Sequence, residues 1–385
     1  MTRNAVATAS LLLTTVLSAC GGGGGDSVAP PTTGTLEVDI VTTGVDLDTD
    51  GFLLAFDGAF PGAIPANGTS SRSMSAGAHT LALSGLAFNC DATAAPTSAV
   101  VELGKTTKVD VQVTCAPYLR NVIIYTSEQF GLPEVMVMRS DGSRSERLTS
   151  DQVAYSAPVV SPDGQSIAVA SYLGGAWNGI YLLDRFGKGR ALLVSHSLSG
   201  QPEWSPDGTK IAFTGTLTGP YGIYGRIFVV NRDGSGLRQV SPEVAETDYK
   251  YDGGCSWSPD GTRLVFERSG VLYFINADGT GLVSTGVSGA SPAWSPDGTQ
   301  IAYESISGGS DGIWAMNASL TPRRLTTAIQ QDEYPRWSPD GLHLVFERVE
   351  NNVSHLYTIN ADGTGATRLG NVAQSEYGAS WTPNF

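Results

Sequence analysis

The stretch Pro202-Glu203-Trp204-Ser205-Pro206-Asp207-Gly208-Thr209-Lys210-Ile211-Ala212-Phe213 decides the fold. Its Ser-Pro-Asp-Gly centre is a turn on chemical grounds: Pro presets φ at the second position, Asp favours the third, and Gly takes the left-handed position at the fourth. A short strand ending in Trp leads in, and an apolar strand, Ile211 to Phe213, leads out. The tetrapeptide recurs at 161–164, 258–261, 295–298 and 338–341, and a degenerate copy, Thr382-Pro383-Asn384, stands near Phe385. Successive starts differ by 44, 53, 37, 43 and 44 residues. Each copy feeds a strand with a buried look: Ile167 to Ala170, Leu264 to Phe266, Ile301 to Tyr303, Leu344 to Phe346. A third strand such as Leu356-Tyr357-Thr358-Ile359 then runs into a Gly hairpin, as in Asn276-Ala277-Asp278-Gly279 or Asn360-Ala361-Asp362-Gly363, and a fourth strand. The turns read as structural, with no catalysis in them.

A period near 40 with strand content is the signature of a propeller array. Second strands number six, because Asn121-Val122-Ile123-Ile124-Tyr125 belongs to the set although no Trp strand precedes it. Trp-type strands number six only if Ala379-Ser380-Trp381 is included. The unmatched strand at each end predicts ring closure: residues 379 to 383 should form the innermost strand of the unit that begins at 121, removing a sheet edge. The expected fold class is all-β, a six-bladed β-propeller over 117–385 with C-terminal strand closure, preceded by a small β-sandwich over 35–116.

Composition agrees. The 385 residues include 47 Gly and only 16% charged side chains, which favours turns and strands over long solvated helices. With 23 basic against 37 acidic residues the net charge is −14, which argues against nucleic acid as a partner.

The N-terminus reads Met1-Thr2-Arg3, then an apolar stretch around Leu11 to Leu17, then Ser18-Ala19-Cys20. The stretch is short for a membrane span and has signal-peptide anatomy, so 1–20 is expected to be removed. Small residues directly before a cysteine resemble the bacterial lipobox, which implies lipidation of Cys20. Residues 21–34, rich in Gly, Pro and Thr, then form a flexible tether. A Gly after the cysteine implies sorting to the outer membrane, on its periplasmic or surface face.

Residues 35 to 116 alternate with period two in several runs, among them Leu36-Glu37-Val38-Asp39-Ile40 and Val109-Asp110-Val111-Gln112-Val113. Cys90 and Cys115 flank such strands 25 residues apart, and in an exported chain a disulfide between them is expected. Cys255 is left as a buried thiol. The segment resembles the immunoglobulin-like or carboxypeptidase-regulatory-like spacer modules of bacterial surface proteins. Within it Asp46, Asp48 and Asp50, then Gly51 and Asp57, have the alternate carboxylate spacing of a calcium loop. An acidic hairpin is the other reading, and no other cofactor is expected.

The repeat, Trp-Ser-Pro-Asp-Gly followed by an Ile-Ala-Phe-type strand and Asn-Ala-Asp-Gly, is similar to that of the TolB-like family of six-bladed β-propellers. The resemblance covers residues 120 to 385. It implies an envelope location and the binding of protein or another ligand at a channel mouth; related propellers also sit on peptidases and some polysaccharide lyases.

Function normally lives on variable loops. The segments entering the inner strands carry acids and tyrosines: Asp151 with Tyr155, Asp248-Tyr249-Lys250-Tyr251-Asp252, Asp332-Glu333-Tyr334, and Glu376-Tyr377. Converging on one axis, they would ring a mouth suited to a cationic peptide, a metal ion or stacked sugars. Solvated loop charges with tyrosines packed on neighbouring sheets are the alternative. No G-x-S-x-G elbow or short histidine spacing is present, so no catalytic residue is named. The expected role is a lipid-anchored, non-catalytic binding or scaffolding protein. The alternatives are a carbohydrate-active lyase or glycosidase, and an accessory subunit of a peptidase or transport complex.

Overall fold

The computed structural model describes residues 31–48, 51–59, 62–92, 97–173, 176–195, 201–219, 222–242, 251–305, 312–327, 331–370 and 372–384. The described residues are all-β and form eight four-stranded sheets.

Two sheets lie within residues 33–115. One runs Gly68–Ser75, Thr33–Gly44, Thr106–Cys115, Cys90–Ala92, and the other Gly62–Ile64, Phe52–Phe56, Gly77–Ser84, Ser98–Val101. Every second residue from Gly34 to Thr42 is buried, so Leu36, Val38 and Ile40 meet Phe52, Leu54 and Phe56 of the facing sheet in one core. Cys90 stands opposite Cys115 in register and the two form a disulfide, as the sequence predicted.

The six other sheets occupy residues 122–381, and the expected strand pattern holds in each. Glu376–Trp381 pairs antiparallel with Val122–Ser127, so the last described strand completes the sheet that the first of the set begins. The first strands of the six sheets, Ala154–Val160, Glu203–Trp204, Asp252–Trp257, Ala290–Trp294, Gln331–Trp337 and Glu376–Trp381, touch one another in a closed cycle. Apolar second-strand residues pack between neighbouring sheets; Ile211 and Phe213, for example, share a core with Val159 and Ala168 of the sheet before.

The Ser-Pro-Asp-Gly turns are self-contained hydrogen-bond cages. Ser205 Oγ donates to Asp207 Oδ1 at 2.6 Å and accepts from Lys210 N at 2.9 Å, while Thr209 N donates to Asp207 Oδ1 at 3.0 Å. The same bonds recur around Ser258 and Asp260. The tryptophan before the turn staples neighbouring sheets: Trp204 Nε1 donates to Val159 O, Trp257 Nε1 to Glu203 O, and Trp337 Nε1 to Ala293 O.

The two-sheet unit is tied to the rest by polar contacts. Arg139 donates to Phe88 O, Arg144 to Cys90 O, and both pair with Asp91, while Asp46 pairs with Arg185.

Candidate functional site

Five of the six first strands are interrupted in the same way. Their register slips between Ser156 and Val159, Gly253 and Cys255, Ala290 and Ala293, Glu333 and Arg336, and Tyr377 and Ser380. Each slip holds one residue in the left-handed region: Ala157 at φ 52°, Gly254 at 40°, Ser291 at 49°, Tyr334 at 51° and Gly378 at 62°. A bulge of this kind re-aims a strand near a site. Neighbouring bulges are in close backbone approach, since a Cβ on Gly378 would lie 2.9 Å from Ala157 Cα. In the sixth sheet Gln201 takes the corresponding position, three residues before Trp204.

All five bulge residues and Gln201 line a cavity of about 720 Å³ on the axis. Tyr251, Tyr334 and Tyr377 stand in its wall, with Glu128, Glu267 and Glu347. A second recess of about 310 Å³ lies at the Ser-Pro-Asp-Gly end, lined by Trp204, Trp294, Trp337, Trp381 and the turn prolines. Arg336 lines both. From the sheet of Gln331–Trp337 its Nη2 donates at 2.7 Å to Gln201 Oε1, three sheets away around the cycle, so the side chains bar the axis between the two spaces.

The predicted acidic ring is only partly there. Asp252 opens a strand and Asp332 is the second residue of one, so neither lies in a loop, and both are buried, at 0% and 1% exposure. Arg268 grips Asp252 through Nε at 2.5 Å and Nη2 at 2.6 Å; Arg348 grips Asp332 at 2.6 and 2.9 Å. Such two-pronged pairs satisfy the carboxylates within the protein and leave them nothing to offer a ligand. Tyr155 is fully buried and donates to Asp151 at 2.7 Å. Glu376 is buried too, and burial pushes its carboxyl up to about 7. Glu333 accepts from Gln331 beside it. Tyr251, Tyr334 and Tyr377 do reach the cavity; Asp248, Tyr249 and Cys20 lie outside the described residues.

The carboxylates of the 46–57 segment have other partners. Asp46 accepts from Tyr118 N at 2.9 Å, Asp48 from Ala87 N at 2.8 Å, and Asp57 from Thr80 N at 2.8 Å while pairing with His79 at 2.6 Å. Asp50 lies outside the described residues, among which no three potential ligands converge on a cation position.

Sequence reasoning missed Arg336, Glu267 and Glu347. A signal existed: Phe266-Glu267, Tyr303-Glu304 and Phe346-Glu347 put a glutamate at the same place in three consecutive second strands. Glu347 is 4% exposed and accepts from Gly378 N at 2.7 Å. Burial pushes its carboxyl up to about 8; the Gly378 N–H and Arg336 oppose the shift, while Glu333, its cross-strand partner, and Glu304 add to it. Burial also raises Glu267 and Glu203. At neutral pH Glu347 is therefore mostly a neutral acid. Cys255 lines the cavity as an inert thiol, its ionisation pushed up by burial.

The PD40 family, described as the TolB beta propeller domain, matches residues 178–385. A TolB homolog from Chlorobium luteolum is 28% identical over 144 residues, which is 37% of this chain and 30% of that protein. The chain thus spans less than a third of that relative's length. Among solved structures, TolB from Acinetobacter baumannii superposes with a TM-score of 0.57 at 20% identity, covering 68% of this chain and 67% of its own. A putative TolB from Agrobacterium tumefaciens gives 0.53 at 19%, covering 69% and 93%. At these identities the structural likeness speaks for the fold alone.

Proposed function

Because the chain belongs to the family of TolB beta propeller domains, we propose that residues 117–385 form a closed six-bladed propeller that binds a protein partner at its tyrosine-lined channel mouth. The small β-sandwich of 35–116 carries it, and a linker over 21–34 leads back to a lipid on Cys20 exposed by removal of 1–20. This places the molecule at the cell envelope, on the outer membrane, as a binding or scaffolding lipoprotein without catalysis of its own.

One observation carries the reading: the cavity of about 720 Å³ has aromatic walls, a polar floor, and bulged strand backbones that hold its shape. Tyrosines with one apolar face and one polar tip suit the capture of a peptide segment, which needs apolar contact and oriented hydrogen bonds together. The reading as a carbohydrate-active enzyme gains no acid pair from Asp332 and Glu333, since Asp332 is held by Arg348 and Glu333, the next residue along the strand, pairs in register with Glu347.

The test is co-purification from membranes with the lipidated chain. Tyr251→Ala, Tyr334→Ala and Tyr377→Ala together should lose a stoichiometric protein that the wild type retains, and Cys20→Ser should release the folded chain from membranes. Retention of the same partner by the triple variant would remove the mouth from the account.

A further inference from the structure

Arg336 is a buried cation with no ion-pair partner among the described residues. It is 9% exposed, and of its five N–H donors Nη1 serves Pro335 O at 3.0 Å and Nη2 serves Gln201 Oε1 at 2.7 Å. Its Nε is buried with no partner. No carboxylate among the described residues lies within ion-pair distance of it, whereas Arg147, Arg268 and Arg348 each hold one side-on through Nε and Nη2. A guanidinium taken from water without a counter-charge is costly, so its place on the axis calls for a compensating anion.

We propose that Arg336 is a ligand-binding residue that receives a carboxylate entering the channel from the tyrosine-lined mouth, the acid being an aspartate or glutamate side chain of the captured protein segment. This rests on the mouth being the binding site and names the chemistry read there. The geometry of the bound group is the one the protein already uses three times, a carboxylate bridging Nε and Nη2, with Gln201 yielding or sharing Nη2.

Several titratable groups surround Arg336, and Glu347 is the one whose charge bears on this at neutral pH. Glu203 and Cys255 face it from first strands across the cycle, Glu347 from the second strand of its own sheet and Tyr334 from its own strand, with Glu333 and Glu304 beside Glu347. Glu347, with its carboxyl near 8, then offers an O–H in place of a repelling charge. Above that pH Glu347 ionises and competes for the guanidinium, so carboxylate affinity should fall as pH rises through about 8.

The experiment titrates the full chain with propionate, and with propionamide as the neutral isostere, at constant ionic strength, following the side-chain Nε–H resonance of Arg336. Propionate should shift it saturably at pH 6.5 and propionamide should not. Arg336→Gln, which lacks that resonance and is compared with the wild type by calorimetry, should weaken propionate binding at least tenfold. If that variant does not fold, Gln201→Glu decides the matter, because a carboxylate built in at 201 occupies Arg336 and should abolish propionate binding in a folded chain. No propionate shift in the wild type, or undiminished binding in Gln201→Glu, overturns the assignment. Should propionate fail to bind while the triple tyrosine variant still loses its partner, the carboxylate assignment falls and the mouth as a binding site stands.

Discussion

Asp332 illustrates why a residue's role depends on what stands 16 positions away. In sequence it sits among Glu333 and Tyr334 and reads as part of a solvated acidic loop; in the fold Arg348 closes on it with two hydrogen bonds in a buried site. The clue was the Phe-Glu-Arg triplet shared by 266–268 and 346–348, which supplies an arginine for the aspartate near the start of each first strand. Asp332→Ala strands that arginine and should cost about 3–5 kcal/mol of stability, measured by urea unfolding, where a loop acid would cost almost nothing. Glu347 has the opposite sign. Its carboxyl is raised in the fold, so the unfolded chain ionises first as pH climbs, and stability falls between the ordinary glutamate range and about 8. Glu347→Gln keeps the acceptor for Gly378 N and removes the buried acid. Its melting temperature should exceed that of the wild type at pH 8 and match it near pH 4; a variant less stable at pH 8 would show that the carboxylate is satisfied in the fold.

Among the elements, the Ser-Pro-Asp-Gly turn was legible in its backbone, down to the left-handed glycine at its fourth position, because proline, aspartate and glycine act through local preferences that no tertiary contact need supply. The bulges were not legible. They follow from the need of first strands to turn aside where they crowd the axis, and their left-handed positions hold Ala157, Ser291 and Tyr334 as well as glycine, so no residue type marks them. Turn chemistry gives a pH test. Hydrogen bonds from the Ser205 and Ser258 hydroxyls, then from Thr209 and Thr262, hold Asp207 and Asp260 down to about 2. For such lowered carboxyls the stabilisation is fully present above the usual aspartate range and is lost as pH falls toward about 2. Asp207→Ala, losing a net hydrogen-bond contribution of about 1 kcal/mol, should lower the melting temperature by roughly 2–4 °C at pH 7. The gap between variant and wild type should narrow at pH 3, and a gap that widens there would contradict the assignment.

For the whole molecule, the repeat count and the unmatched strand at each end were enough to foresee that a strand over 379–383 pairs with the one beginning at 121; in the structure that strand starts three residues earlier, at Glu376–Trp381. What could not be foreseen is which charges survive at the centre. Net charge is summed over sequence, whereas burial and pairing decide what a ligand meets, and here an acidic chain presents Arg336 on its axis. Removing residues 376–385 should open the ring between its first and last sheets and expose a strand edge, giving a large loss of cooperativity and of melting temperature. An unchanged transition would mean that the cycle of contacts is not a unit of stability.

The most direct measurement places a photo-crosslinking amino acid at Tyr334, in the mouth, and at Asp278, in a hairpin turn outside the cavity, and irradiates intact cells. A discrete adduct with one envelope protein from position 334 and none from position 278 is the predicted result. The same adduct from 278, or none from 334 in a folded and expressed chain, would contradict a binding site at the channel mouth.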